Sequence, residues 1–187
     1  KAGLGADGMP VAIQARVASG PHPFTFGLHD SPYFINAVKN ARVDVNEIPL
    51  HIMTGPYRGP GYNALIFMVE TFIDECAHAA GIDPLAYRLK LVETWPDKGW
   101  AMTLKEAADK AGWGKPLPKG MAQGIAVGRW GAENGKPETG TTVAAVATVE
   151  VTAKNNIKVH TLDVAFDVGT VLNPDAIDTE VVGGTVF

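Results

Sequence analysis

A chain of 187 residues with 46% apolar residues, 19% charged residues and a net charge of −4 is neither a disordered segment nor a strongly basic nucleic-acid binder. A single cysteine, Cys76, excludes an internal disulfide, and no run of about 20 apolar residues could span a membrane. At this length a hydrophobic core forms without metal or disulfide support, and 21 Gly with 13 Pro point to many turns and short elements.

Residues 10–18 are rich in Val, Ile and Ala and predict a strand after the turn Ala6-Asp7-Gly8. Residues 19–40 carry three prolines and predict a long loop with one helical turn near 33–39. Alternation resumes over 41–54 and predicts one strand interrupted near Pro49, or two. Three Gly and two Pro then fall within the seven positions Gly55-Pro56-Tyr57-Arg58-Gly59-Pro60-Gly61, which excludes a helix or an inner strand there.

Behind that loop the spacing predicts a helix over about 62–80, with Leu65, Phe67, Met68, Val69, Phe72, Ile73, Cys76 and Ala77 among its apolar residues. Residues 70, 71, 74, 75 and 78 form its narrow polar face, and Gly81 is its C-cap. A second helix follows Asp83 as N-cap, with Pro84 in the first turn. A third is predicted from Thr103, where Thr103 and Glu106 have the spacing of a capping box, to Gly112. The period then changes to two, and residues 124–130, 142–152 and 157–166 read as strands. Asn173 and Pro174 open a last helix. The fold class is therefore α+β, with antiparallel strands packed against a few helices. The expected parts are a strand-rich segment 1–54, an Arg-loop and helical segment 55–113, and a hairpin with the start of a helix over 114–187. The apolar run at 181–187 predicts a fragment of a longer polypeptide.

Two corners stand out chemically. A helix N-terminus carries unpaired N–H groups and partial positive charge, glycine permits close approach, and Arg58 adds a five-donor cation. That combination suits an anion or an oxygen-rich cofactor, although it also describes an ordinary strand-to-helix corner with Arg58 in a surface ion pair. The string is neither a P-loop nor a dinucleotide fingerprint. Asp167-Val168-Gly169-Thr170, leading to Asn173-Pro174, forms a similar corner and also reads as a plain capped turn. On the long helix, Glu70, Asp74, Glu75 and His78 contain half of a di-iron Glu-x-x-His pattern without its second copy, so a solvated or salt-bridged face is expected. Cys76 reads as a buried small hydrophobe.

Thr54-Gly55-Pro56-Tyr57-Arg58-Gly59-Pro60-Gly61, followed by Met68-Val69-Glu70-Thr71-Phe72-Ile73-Asp74-Glu75-Cys76-Ala77, resembles the molybdenum-binding large subunit of the xanthine dehydrogenase/aldehyde oxidase family. The likeness is to the branch of isoquinoline 1-oxidoreductase beta subunits and bacterial membrane-bound aldehyde dehydrogenases. Gly81-Ile82-Asp83-Pro84-Leu85-Ala86-Tyr87-Arg88 continues it, residues 167–175 and Gly183-Gly184 match a later family segment, and residues 1–18 resemble the preceding strand pair. The resemblance implies a piece of a larger molybdopterin-binding subunit that oxidises small aldehydes or N-heterocycles with water as oxygen donor. It implies a molybdenum-pyranopterin, in the cytosine dinucleotide form, and iron–sulfur clusters on a partner subunit. A cytochrome c subunit, a bacterial periplasmic or membrane-associated complex, with a cytoplasmic one as the alternative, and no nucleic-acid partner are also implied.

By the same resemblance Tyr57, Arg58 and Gly59 line the pocket near the molybdenum, and Glu180, Gly183 and Gly184 approach the pterin. Glu180 stands where the family usually has Gln, and an ionised carboxylate has no amide hydrogen to donate. The family's Gly-Gln-Gly motif and late catalytic Glu have no counterpart here. The resemblance therefore implies no catalytic residue and no metal ligand within these residues, and no activity for the chain alone. The rival expectations are a non-catalytic binding or structural domain of the same fold, and a small-ligand module built on the two glycine corners.

Overall fold

The computed structural model describes residues 1–20, 37–53, 55, 58–59, 62–95, 97–130 and 140–186. They form two compact units, Lys1–Thr94 and Trp95–Phe187, each containing one three-stranded sheet. The expected helical turn near 33–39 falls largely outside the described residues.

In the first unit β1 (Ala2–Leu4) and β2 (Pro10–Ser19) run antiparallel. The turn between them closes through Gly5 N–H to the Met9 carbonyl (2.8 Å), with Gly8 at a φ of 77°. β2 then pairs with β3 (Asn40–Glu47) in parallel, from Ala12 opposite Asn40 to Ser19 opposite Glu47. This is the one described pairing that departs from the antiparallel expectation. β3 also stops before Pro49, which has no N–H to give a ladder. Ile48, Leu50 and Ile52, expected to extend it, are exposed outside it.

The long helix α1 (Tyr62–Ala80) buries Leu65, Val69, Ile73, Cys76 and Ala77, the three-to-four spacing of one helical stripe. Phe67 and Met68, counted with the apolar set, are exposed instead. Gly81 adopts a φ of 66°, and Ile82 N–H reaches back to the Ala77 carbonyl (3.0 Å), a Schellman-type ending. Asp83 accepts from Ala86 N–H (2.9 Å) and starts α2 (Pro84–Val92).

Tyr87 and Arg88 of α2 hold the first unit together. Tyr87, fully buried, donates its hydroxyl to the Gly8 carbonyl (3.2 Å) and so ties the β1–β2 turn to the helix. Burial pushes its phenol up to about 12, against about 10 for a free tyrosine. Between these values the native state keeps a proton that the unfolded state has lost, so stability falls as pH rises. Thermal melts should therefore lose this contribution between about pH 10 and 12 and show none of that loss below it. Tyr87→Phe should flatten the tyrosine-dependent part of the fall.

In the second unit α3 (Gly99–Ala111) begins one turn before the expected start at Thr103. Thr103 lies inside the helix, and its hydroxyl donates to the Gly99 carbonyl (2.9 Å) rather than capping. The Asp97 carboxylate receives Gly99 N–H instead (2.9 Å). Gly112 ends the helix in the left-handed region, as the sequence indicates. β4 (Met121–Trp130), β5 (Thr141–Val151) and β6 (Ile157–Asp167) then form an antiparallel meander. The β5–β6 turn places Asn155 at a φ of 59°.

α3 lies on one face of this sheet. Trp100, Leu104, Ala107 and Ala108 of the helix are buried, as are Ile125, Val127, Ala144, Val146 and Ala165 of the strands. The last helix, α4 (Pro174–Val186), is capped by Asn173, whose side-chain oxygen accepts from Ala176 N–H (3.3 Å). None of its described residues is buried.

Candidate functional site

The Arg-loop corner belongs to the first unit. Arg58 is exposed just ahead of α1, and Gly59 has a φ of 66°, a conformation L side chains rarely adopt. The Gly59 carbonyl receives Tyr62 N–H (3.0 Å), which turns the loop into the helix. Tyr57 lies outside the described residues. This corner offers a guanidinium beside a helix N-terminus, with glycine where the chain needs positive φ.

The polar face of α1 is partly a buried device. Arg88 of α2 is fully buried and donates from Nε to Glu70 Oε2 (2.9 Å) and from Nη1 to Asp74 Oδ1 (2.6 Å). It also donates to the Glu70 and Pro84 carbonyls (3.0 and 3.2 Å). The salt-bridged expectation thus holds for Glu70 and Asp74, while Glu75 and His78 are exposed. Cys76 is buried as expected, and burial raises its thiol above the ordinary range. Among the described residues no three His, Cys, Asp or Glu side chains are grouped so as to hold a metal ion.

The second corner belongs to the second unit and is braced from below. Asp167 Oδ1 accepts from Gly169 N–H (3.0 Å), and Gly169 has a φ of 71°. The other oxygen of Asp167 lies against the start of α3, where a Cβ on Gly99 would come within 2.8 Å of it. Across the sheet, Asp167 faces Thr142, and Thr142 faces Arg129. Buried Arg129 pairs with Asp97, donates to the Gly140 carbonyl (3.2 Å) and sits 5.9 Å from the centre of the Trp100 ring. Trp95 meets Trp100 edge-on at 5.6 Å. This polar row fixes where the loop after β6 leaves the sheet.

Sequence reasoning did not single out Arg129 or Asp97. The signal was there, since Ile125, Val127 and Arg129 share one strand face, and a cation on a buried face needs a partner. Beyond the corner, Glu180, Gly183 and Gly184 fall on one side of exposed α4 by their spacing of three and four. The candidate residues thus form two groups, Arg58 with Gly59 in one unit and Glu180 with Gly183 and Gly184 in the other.

Comparison with known proteins gives these corners a context. Two family models match, each described as a molybdopterin cofactor-binding domain, one over residues 12–92 and one over residues 62–187. The chain is 30% identical to a membrane-bound aldehyde dehydrogenase (pyrroloquinoline-quinone) of Gluconacetobacter polyoxogenes, over 98% of this chain and 24% of that protein. It is 28% identical to a subunit of the nicotinate dehydrogenase of Pseudomonas putida, over 79% of this chain and 13% of that protein. The chain thus spans a quarter or less of the length of these relatives.

Proposed function

The chain belongs to the molybdopterin cofactor-binding family of molybdenum-dependent oxidoreductases, and from that premise we propose that it is one part of the large subunit of a molybdenum hydroxylase. The observation that carries the reading is that the two family matches together run from residue 12 to residue 187. The substrate class is a small aldehyde or an N-heterocycle, which the names of the two relatives support. The cofactor is a molybdenum-pyranopterin in its cytosine dinucleotide form. Electrons leave through iron–sulfur clusters, and a cytochrome c, on partner subunits. A membrane-associated or periplasmic complex is favoured by the first relative's name, and no described helix is itself long and apolar enough to cross a membrane.

Each group of candidate residues, taken within its own unit, has chemistry suited to part of such a site. A Cβ built on Gly59, Gly169 or Gly183 meets nothing within 4 Å, so neighbouring side chains do not require glycine there. At Gly183, inside a helix and without positive φ, glycine costs about 1 kcal/mol relative to alanine, and close approach by a bound group accounts for that cost. When bound, the cofactor supplies the two-electron redox centre at which water-derived oxygen is transferred. This chain's residues do the holding. Arg58 presents a planar fork of donors to a substrate or cofactor oxygen, and the glycine side of α4 admits a flat ring. Glu180 accepts hydrogen bonds from ring N–H groups, where Gln could also donate.

Cofactor analysis tests this reading. The full-length product, expressed with its neighbouring genes, should contain molybdenum and pterin. Residues 1–187 alone should retain neither through gel filtration, because most of the enclosing site is missing. Stoichiometric molybdenum on the short chain would overturn the partial-site reading. Pyrroloquinoline quinone without molybdenum in the full-length product would overturn the cofactor assignment.

A further inference from the structure

An antiparallel sheet with one face on a helix normally turns a polar face to water. The β4–β5–β6 sheet does not. Its face opposite α3 is set by the register that places Gly124 opposite Ala147, Ala126 opposite Ala145, and Ala147 opposite Leu162. Along all three strands that face carries no charged side chain, and its one polar residue is Thr141. Large apolar groups on it are exposed, with Ile157 72% and Val159 58% exposed, together with Leu162 and Phe166.

The middle of the face is built from residues too small to cover it. Gly124, Ala126, Ala145 and Ala147 form a shallow floor between the larger side chains. A Cβ on Gly124 would meet nothing within 4 Å. Glycine weakens a strand interior, and its presence there marks a place where another element comes close. Small residues along the floor and an uncharged apolar rim therefore describe the same thing from two sides.

We propose that this face is the docking surface for a further segment of the same longer polypeptide, which packs on the sheet opposite α3 and encloses it as a middle layer. The inference rests on the reading of the chain as part of a large subunit. The matched relatives are at least four times the length of the matched region, so each has ample chain to cover one sheet face. An anionic, hydrogen-bonding cofactor is a poor occupant for a surface with no charge and a single hydroxyl. A second copy of the chain is the competitor that the test separates.

Site-specific labelling separates these outcomes. Val159→Cys, on the open face, and Lys110→Cys, on the exposed side of α3, are compared in the 187-residue chain and in the full-length product. The label at each position is read by mass spectrometry after maleimide treatment. In the short chain both positions should react at similar rates. In the full-length product the rate at position 159 should fall by at least about 100-fold while position 110 stays reactive, the behaviour of a fully buried thiol. Equal rates at 159 in both would overturn the docking proposal alone. Protection in the short chain that grows with concentration, with a dimer mass, would assign the face to a second copy and also overturn it. A native product of only 19.8 kDa would remove the large-subunit reading and the docking together. As a second variant, Gly124→Thr should fold normally in the short chain, whereas in the full-length product it should restore labelling at position 159 by forcing the docked segment away.

Discussion

Arg88→Ala should destabilise the first unit by about 3–5 kcal/mol, the cost of leaving a buried charge without its partner. The guanidinium is fully enclosed between α1 and α2, and removing it strands the Glu70 carboxylate in the same interior. Asp74 adds less, because its side chain is 44% exposed and can turn to water. The decisive comparison is a double variant. Arg88→Met with Glu70→Met removes both charges and fills the space, and such replacements are often neutral or stabilising. Denaturant melts of the wild type, both single variants and the double variant would show a large single-site cost and a recovered double. A cost below about 1 kcal/mol for Arg88→Ala would mean that the pair is not buried in solution.

The second large effect belongs to catalysis. With the proposed role of Arg58, Arg58→Lys in the fully loaded, full-length enzyme should lower kcat by about 100-fold, the usual cost of losing a donor to developing charge. KM should rise by a much smaller factor, because the fork matters more in the transition state than in the ground state. Lysine keeps the charge but not the planar pair of donors. If Arg58 served only a surface ion pair, the change would cost less than about 1 kcal/mol of stability and leave turnover alone. Steady-state kinetics with molybdenum content measured on each preparation decides between them. An unchanged kcat would take Arg58 out of the active site.

Where structure follows from local periodicity, the sequence was readable. α1, α2 and the three strands of the second unit lie within a few residues of their expected places, because their apolar spacing, Gly81, Asp83 and Gly112 are local signals. The misreadings have specific causes. Thr103 and Glu106 imitate a capping box, but Asp97 gives the helix an earlier start that the pattern hid. Ile48, Leu50 and Ile52 alternate like a strand, yet no ladder forms past Pro49. The parallel β2–β3 pairing and the Arg88–Glu70 and Arg129–Asp97 partnerships depend on contacts between distant parts of the chain, which periodicity does not encode. For the candidate site, the local turn geometry at Gly59 and at the Asp167 corner was legible. The bracing of that corner by Arg129 was not, because it requires knowing the strand register.

The α4 helix, which buries none of its described residues, has an energetic consequence of its own. A helix of 13 residues is marginal in water even when rich in alanine, and this one spends two interior positions on glycine. With no buried residue to repay the ordering of its backbone, its local opening free energy in the short chain is close to zero. Its amide protons should exchange with solvent within seconds, while those of Val146 and Leu104, in the core of the same unit, persist far longer. If the proposed cofactor settles on its glycine side, the binding energy must first order the helix. Affinity at the proposed site would then be lower than its contacts alone would give, and the protection of these amides would report on whether it is filled.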